Sequence, residues 1–219
     1  MNGFSFPIWM KSSLTAGPDL IMGLAFLVTW IEPKALGENM QIYFLMIMFL
    51  EFITIHSAAF MGWAIIAGTS KFIKILRAIG LGIFYSLFVW TFALPNNEMW
   101  ALSAFWLLVL NRIMAVLFGD GNTASHQAML MANWGMSVFC YVLSIFVTVF
   151  LPIPAFGWTS EYIQHLTTSG AGLWFEDPQS MLAAGFLYFF VVGVFELYSP
   201  KIAEKLSMIN SKIPFRGKE

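Results

Sequence analysis

Residues 40 to 68 read MQIYFLMIMFLEFITIHSAAFMGWAIIAG, an unbroken apolar run with a polar centre. A helix needs ~20 mainly apolar residues to cross the hydrocarbon of a bilayer, and this stretch has more than that. Inside it stand Glu51, Thr54, His56 and Ser57, where a charged or polar side chain is costly unless it is neutralised, paired or facing water. The length of the run points to a membrane span, and its centre points to the residues that need a reason.

The rest of the chain agrees. Of 219 residues, 59% are hydrophobic and only 11% charged, against roughly half and about a quarter in soluble domains. Further apolar runs predict spans near 14 to 31, 74 to 94, 98 to 118, 127 to 151 and 179 to 198, punctuated by Glu32-Pro33, Gly68-Thr69-Ser70, Pro95-Asn96-Asn97, Gly119-Asp120-Gly121-Asn122, Pro152 and Ser199-Pro200. The expectation is an all-α, polytopic membrane protein. Residues 1 to 199 form a bundle of six transmembrane helices, and residues 200 to 219 form a basic amphipathic cytoplasmic tail. The first residues, Met1 to Trp9, hold no basic side chain, so the first span is read as a retained helix, not a cleaved signal.

Ten of the eleven Lys and Arg residues fall on one side of that topology and only Lys34 on the other. Positively charged loops stay cytoplasmic, so both termini are expected there, in a multi-pass protein of the plasma (inner) membrane. Glu32, Glu38, Glu98, Glu161, Glu176 and Asp177 then lie outside. Trp30, Trp100, Trp158 and Trp174 fall near the outer ends, where an indole suits the headgroup level. In the long connection 152 to 178, Trp158, Tyr162, Ile163 and Leu166 share helical spacing behind Thr159 and Ser160, a short capped helix expected to lie on the outer surface. Ile202, Leu206 and Ile209 among Lys201, Lys205 and Lys212 predict a helix resting on anionic lipid, with a solvated tail as the bland reading.

Glu51 and His56 are the foremost candidates, with Ser57 beside them. Five residues of helix turn the two side chains about 140° apart, so they address different neighbours and lack the i, i+4 spacing of paired metal ligands. A second group, Asp19, Asn111, Arg112 and Asn133, lies at one matched depth of ~10 Å from the cytoplasmic boundary, and opposite charge makes Asp19 and Arg112 a possible ion pair. The bland readings are interhelical hydrogen bonds for Glu51, His56 and Asn133 and snorkelling for Arg112. Ala58 and Gly62, and Ala78, Gly82 and Ser86, are seams for close helix packing.

No cofactor is expected. Asp120 with His126, and Met40, Met46 and Met48, match no sustained metal-ligand spacing, and the single Cys140 excludes a thiolate cluster and an intrachain disulfide. Walker, Rossmann, HExxH and GxSxG motifs are absent from the sequence, and the near balance of 11 basic against 12 acidic residues gives no reason to expect nucleic acid. The bilayer is the expected partner, with other membrane subunits or a homo-oligomer beside it. Without a catalytic signature the chain reads first as a structural or accessory subunit of a larger membrane complex. It reads second as a channel or carrier for protons or a small solute through Glu51 and His56, and third as a membrane-embedded enzyme or cofactor protein. Three spans on each side of Pro95 would give halves of opposite topology, as in inverted-repeat transporters. No residue pattern repeats between them.

Overall fold

The computed structural model describes residues 8–66, 70–95, 97–118, 124–166 and 172–212. Among them every regular element is helical: α1 (Ile8–Ile31), α2 (Met40–Ile66), α3 (Lys71–Ala93), α4 (Trp100–Phe118), α5 (Ala124–Phe150), α6 (Ser160–Gln164), α7 (Leu173–Glu176) and α8 (Pro178–Lys212). The long helices follow the apolar runs of the sequence, and the turns between them carry the backbone that breakers allow. Gly37 has φ 136°, and Asn39 and Asn97 sit in the left-handed region at 59° and 57°, where Gly and Asn are tolerated.

Three helices among the described residues are long and apolar enough to cross a membrane: Met40–Ala58, Lys71–Ala93 and Pro178–Tyr198. The sequence predicts six spans, and these three are the ones whose described residues reach that length. The remaining apolar stretches, Ala16–Ile31, Trp100–Leu110 and Trp134–Phe150, are shorter.

Helix boundaries differ from expectation at two prolines. Because α1 begins at Ile8, Pro18 lies inside the helix and not in its opening turns. Likewise α8 shows no break at Ser199-Pro200 and continues to Lys212. Pro200 contributes no N–H, but Ala203, Glu204, Lys205 and Leu206 on its far side are strong helix formers and carry the helix on. Side chains beyond Tyr198 lie outside the described residues, as does the predicted lipid-facing stripe of the tail.

Packing centres on α2, which touches α1, α3, α4, α5 and α8. One core gathers Phe26 of α1, Phe44, Leu45 and Met48 of α2, Tyr141 of α5 and Met181, Leu182 and Tyr188 of α8. The other gathers Met46, Leu50 and Ile53 of α2 with Tyr85 and Val89 of α3 and Phe105 and Val109 of α4. The α3–α4 hairpin closes on a small-residue face: Ala78 and Gly82 are buried, and a Cβ at Gly82 would come within 3.1 Å of Val109 Cγ1. The most extensive contact, between α1 and α8, also rests on glycine. A Cβ at Gly193 would meet Leu20 at 2.9 Å and one at Gly23 the Phe190 backbone at 3.1 Å.

The 151–166 segment folds over the end of α1. Gly157 N–H donates to Ile31 O at 3.3 Å, Trp30 Nε1 to Pro154 O at 2.8 Å and Trp158 Nε1 to Thr29 O at 3.1 Å. Trp158 is therefore buried, only 2% exposed, and does not float at a headgroup level as the sequence suggested. The expected short helix is α6, capped by Thr159 Oγ1, which accepts from Tyr162 N–H at 3.2 Å. Burial, and behind it the carboxylates of Glu38 and Glu32, push the Tyr162 hydroxyl above the ordinary tyrosine range. Lys34 Nζ lies 5.5 Å over the same ring.

Candidate functional site

Glu51 sits on the side of α2 that faces α5 and α8. Its Oε1 accepts a hydrogen bond from the Tyr188 hydroxyl of α8. Tyr188 in turn packs edge-on against Tyr141, ring centroids 5.3 Å apart, and Ser137 of α5 reaches its hydroxyl. Tyr141 donates to Met48 O at 2.9 Å, tying α5 to the backbone of α2 one turn from Glu51. The Asp19 carboxylate of α1 is near enough for its charge to act on Glu51, Tyr188 and Glu196. No described basic side chain stands among the groups that act on Glu51. The result is a carboxyl group held by a phenol between three helices, with a second carboxylate toward the chain-terminal end of the bundle.

His56 belongs to a different neighbourhood. Its Nδ1 lies 2.9 Å from the Tyr85 hydroxyl of α3, and its ring stacks near-parallel on Phe52, centroids 5.7 Å apart. On its open side is a groove between α2 and α5 of about 340 Å³. Phe52, Ile55, Phe60, Trp134, Val138, Tyr141 and Val142 complete its lining. Glu51 does not border it. The 140° between the two side chains thus becomes a division of labour across α2: carboxyl toward α8, imidazole toward α3 and the α5 groove.

Ser57 is buried and bonds locally, donating to Thr54 O at 3.2 Å. Cys140 is buried and free. Asp19 is partly buried on α1. The side chains of Asn111, Arg112, Asn133 and His126 lie outside the described residues, and with them the Asp19–Arg112 pair; α1 packs chiefly on α8, and α4 on α3. Among the described residues no three His, Cys, Asp or Glu side chains gather to hold a metal ion.

Tyr188, Tyr141 and Tyr85 complete these sites, and the sequence reading passed over them. A signal was present. Glu51 and Tyr188 lie about ten residues from the N-terminal ends of α2 and α8, and Tyr141 about ten from the C-terminal end of the antiparallel α5, so each is ~15 Å from its helix end at 1.5 Å per residue. A hydroxyl at that depth wants a partner.

Searches against protein-family models, curated proteins and solved structures return no match for this chain, so its reading rests on the arrangement of these side chains.

Proposed function

We propose that this chain is a six-span integral membrane protein that binds a proton at Glu51, as part of a carrier or channel for protons or a proton-linked small solute. The observation that carries this is the Glu51–Tyr188 hydrogen bond, made between helices across 137 residues of sequence deep in an apolar bundle. A carboxyl paired with a phenol and within the field of Asp19 suits a group that takes up and releases a proton better than one half of a fixed ion pair. Six spans are supported by backbone length: α1, α4 and α5 run 24, 19 and 27 residues, near or above the ~20 needed. Charge bias supports cytoplasmic termini and a plasma (inner) membrane address.

The test is reconstitution into vesicles with a trapped pH-sensitive dye. Wild type is expected to dissipate an imposed pH gradient faster than empty vesicles, and Glu51→Gln to lose that excess. A wild-type rate equal to empty vesicles, with no solute accelerating it, removes this reading. Topology is checked on a Cys140→Ala background, where Leu36→Cys should label from outside and Lys205→Cys only from the cytoplasmic side.

One observation favours the accessory-subunit reading. The α3–α4 hairpin joins the remaining helices chiefly through α2 and exposes Phe72, Leu76, Ile83, Phe84, Leu87 and Phe88, a face broad enough for a neighbouring subunit. A stoichiometric partner in the intact-complex mass after mild extraction supports it.

A further inference from the structure

The groove beside His56 is nearly all hydrocarbon and aromatic ring. Its volume of about 340 Å³ falls in the range of small-molecule sites, which pair apolar walls with a few placed polar groups. Most polar groups on its wall are already used: Trp134 Nε1 donates to Ile55 O at 2.9 Å, and the Tyr141 hydroxyl to Met48 O. The imidazole of His56, an exposed residue, remains.

Which atom it offers follows from its partner. The Tyr85 hydroxyl is buried and, among the described residues, bonds only to His56 Nδ1. Were Nδ1–H the donor, the phenolic proton would be left without an acceptor in an apolar interior, which is the costlier arrangement. Both groups are satisfied when Tyr85 O–H donates to Nδ1, and that tautomer places the proton on Nε2. His56, on the wall of the groove, therefore carries one N–H donor with no acceptor among the described residues.

Depth narrows the acceptor. On the proposed reading of α2 (Met40–Ile66) as one span, His56 lies close to its middle, ~15 Å from its nearer end and below the level of phospholipid ester carbonyls. An acceptor there must arrive on a molecule dissolved in the hydrocarbon. Phe52, stacked on the imidazole at 21°, and the Trp134 and Tyr141 rings shape the slot for something flat. We infer that the α2–α5 groove binds a flat, membrane-soluble carbonyl compound, of the class of a quinone head group with an apolar tail, whose oxygen accepts from His56 Nε2–H. This site stands independently of Glu51.

The experiment uses the full chain in lipid nanodiscs with decylubiquinone as probe, read by quenching of tryptophan fluorescence after subtraction of empty discs. Wild type is expected to show saturable binding. His56→Leu should weaken it roughly three- to tenfold, the loss of one hydrogen bond. Val142→Trp, which fills the groove from its exposed side, should abolish it at unchanged thermal stability, and decides the matter should His56→Leu fail to fold. Glu51→Gln should bind as wild type does. Quenching no greater than in empty discs, or equal saturation in wild type, His56→Leu and Val142→Trp, overturns the proposal and leaves the groove to ordinary acyl chains.

Discussion

Replacing Gly185 by alanine is the most direct probe of how the two chain-terminal helices are held together. A Cβ built there would meet Phe26 Cζ at 2.7 Å, with other atoms of the ring closer still. Phe26 has nowhere to go: it is fully buried and clamped between Phe44, centroids 4.4 Å away, and Phe189 at 5.5 Å. Overpacking of this kind costs about 1–3 kcal/mol, and the better helix propensity of alanine returns at most ~1 kcal/mol. With the ring unable to move, the overpacking falls in the upper part of that range, and the net is a loss of about 1–2 kcal/mol. For a chain of this size that corresponds to a fall in Tm of about 2–8 °C, at roughly 2–4 °C per kcal/mol. Thermal unfolding of detergent-purified protein, followed by size-exclusion chromatography after heating, reads it. The control is Gly135→Ala on α5, where an added Cβ meets nothing within 4 Å and stability should rise by about 0.5–1 kcal/mol. Phe26→Leu in the Gly185→Ala background should recover part of the loss, a coupling between neighbours. If Gly185→Ala is as stable as wild type, or if the two changes simply add, the close α1–α8 approach is not what determines stability there.

Other substitutions test separate parts. Gln41 is 3% exposed and neither of its side-chain polar atoms has a partner among the described residues, so Gln41→Leu should raise stability by about 1–3 kcal/mol; a fall in Tm would mean that the amide is satisfied by bound water. Trp158→Phe removes the bond to Thr29 O and buried volume with it, and should cost about 1–3 kcal/mol, measured by the same thermal assay, with proteolysis of the 151–166 segment accelerated. Tyr188→Phe deprives the Glu51 carboxyl of its hydrogen bond; proton flux in vesicles should fall with Glu51→Gln, and the double variant should be no worse than the worse single one. A Tyr85→Phe, His56→Leu cycle should show a coupling of about 0.5–1.5 kcal/mol in thermal stability, and strict additivity would separate the two groups.

How much of this was readable in the chain differs by level. The long helices were legible because apolar length and the breakers between runs are local properties: 40 to 68 became Met40–Ile66, 98 to 118 became Trp100–Phe118, and 127 to 151 became Ala124–Phe150. Glu51 and His56 stood out by cost alone, and their opposite facing follows from helical geometry. Their partners did not stand out, because whether Tyr188 or another residue of α8 faces Glu51 depends on how that helix is rotated against α2. The same holds for Gly185 and Gly193, whose purpose shows only once Phe26 and Leu20 are set against them. Trp158 misled in a particular way: an indole near a span's end suits an interface, but a chain that folds back over α1 turns it inward.

The unbroken course of α8 has a mechanical consequence. Its 35 residues extend ~52 Å at 1.5 Å per residue, against a hydrocarbon thickness of ~30 Å. A crossing by Pro178–Tyr198 would leave about 20 Å of the same helix beyond the hydrocarbon, in line with the segment that carries Tyr188. A tether would absorb motion at its root. A lever transmits it, so a small tilt of α8 about the glycine contacts with α1 would swing the projecting end through a larger arc, and a load on that end would be felt at the Tyr188 hydroxyl.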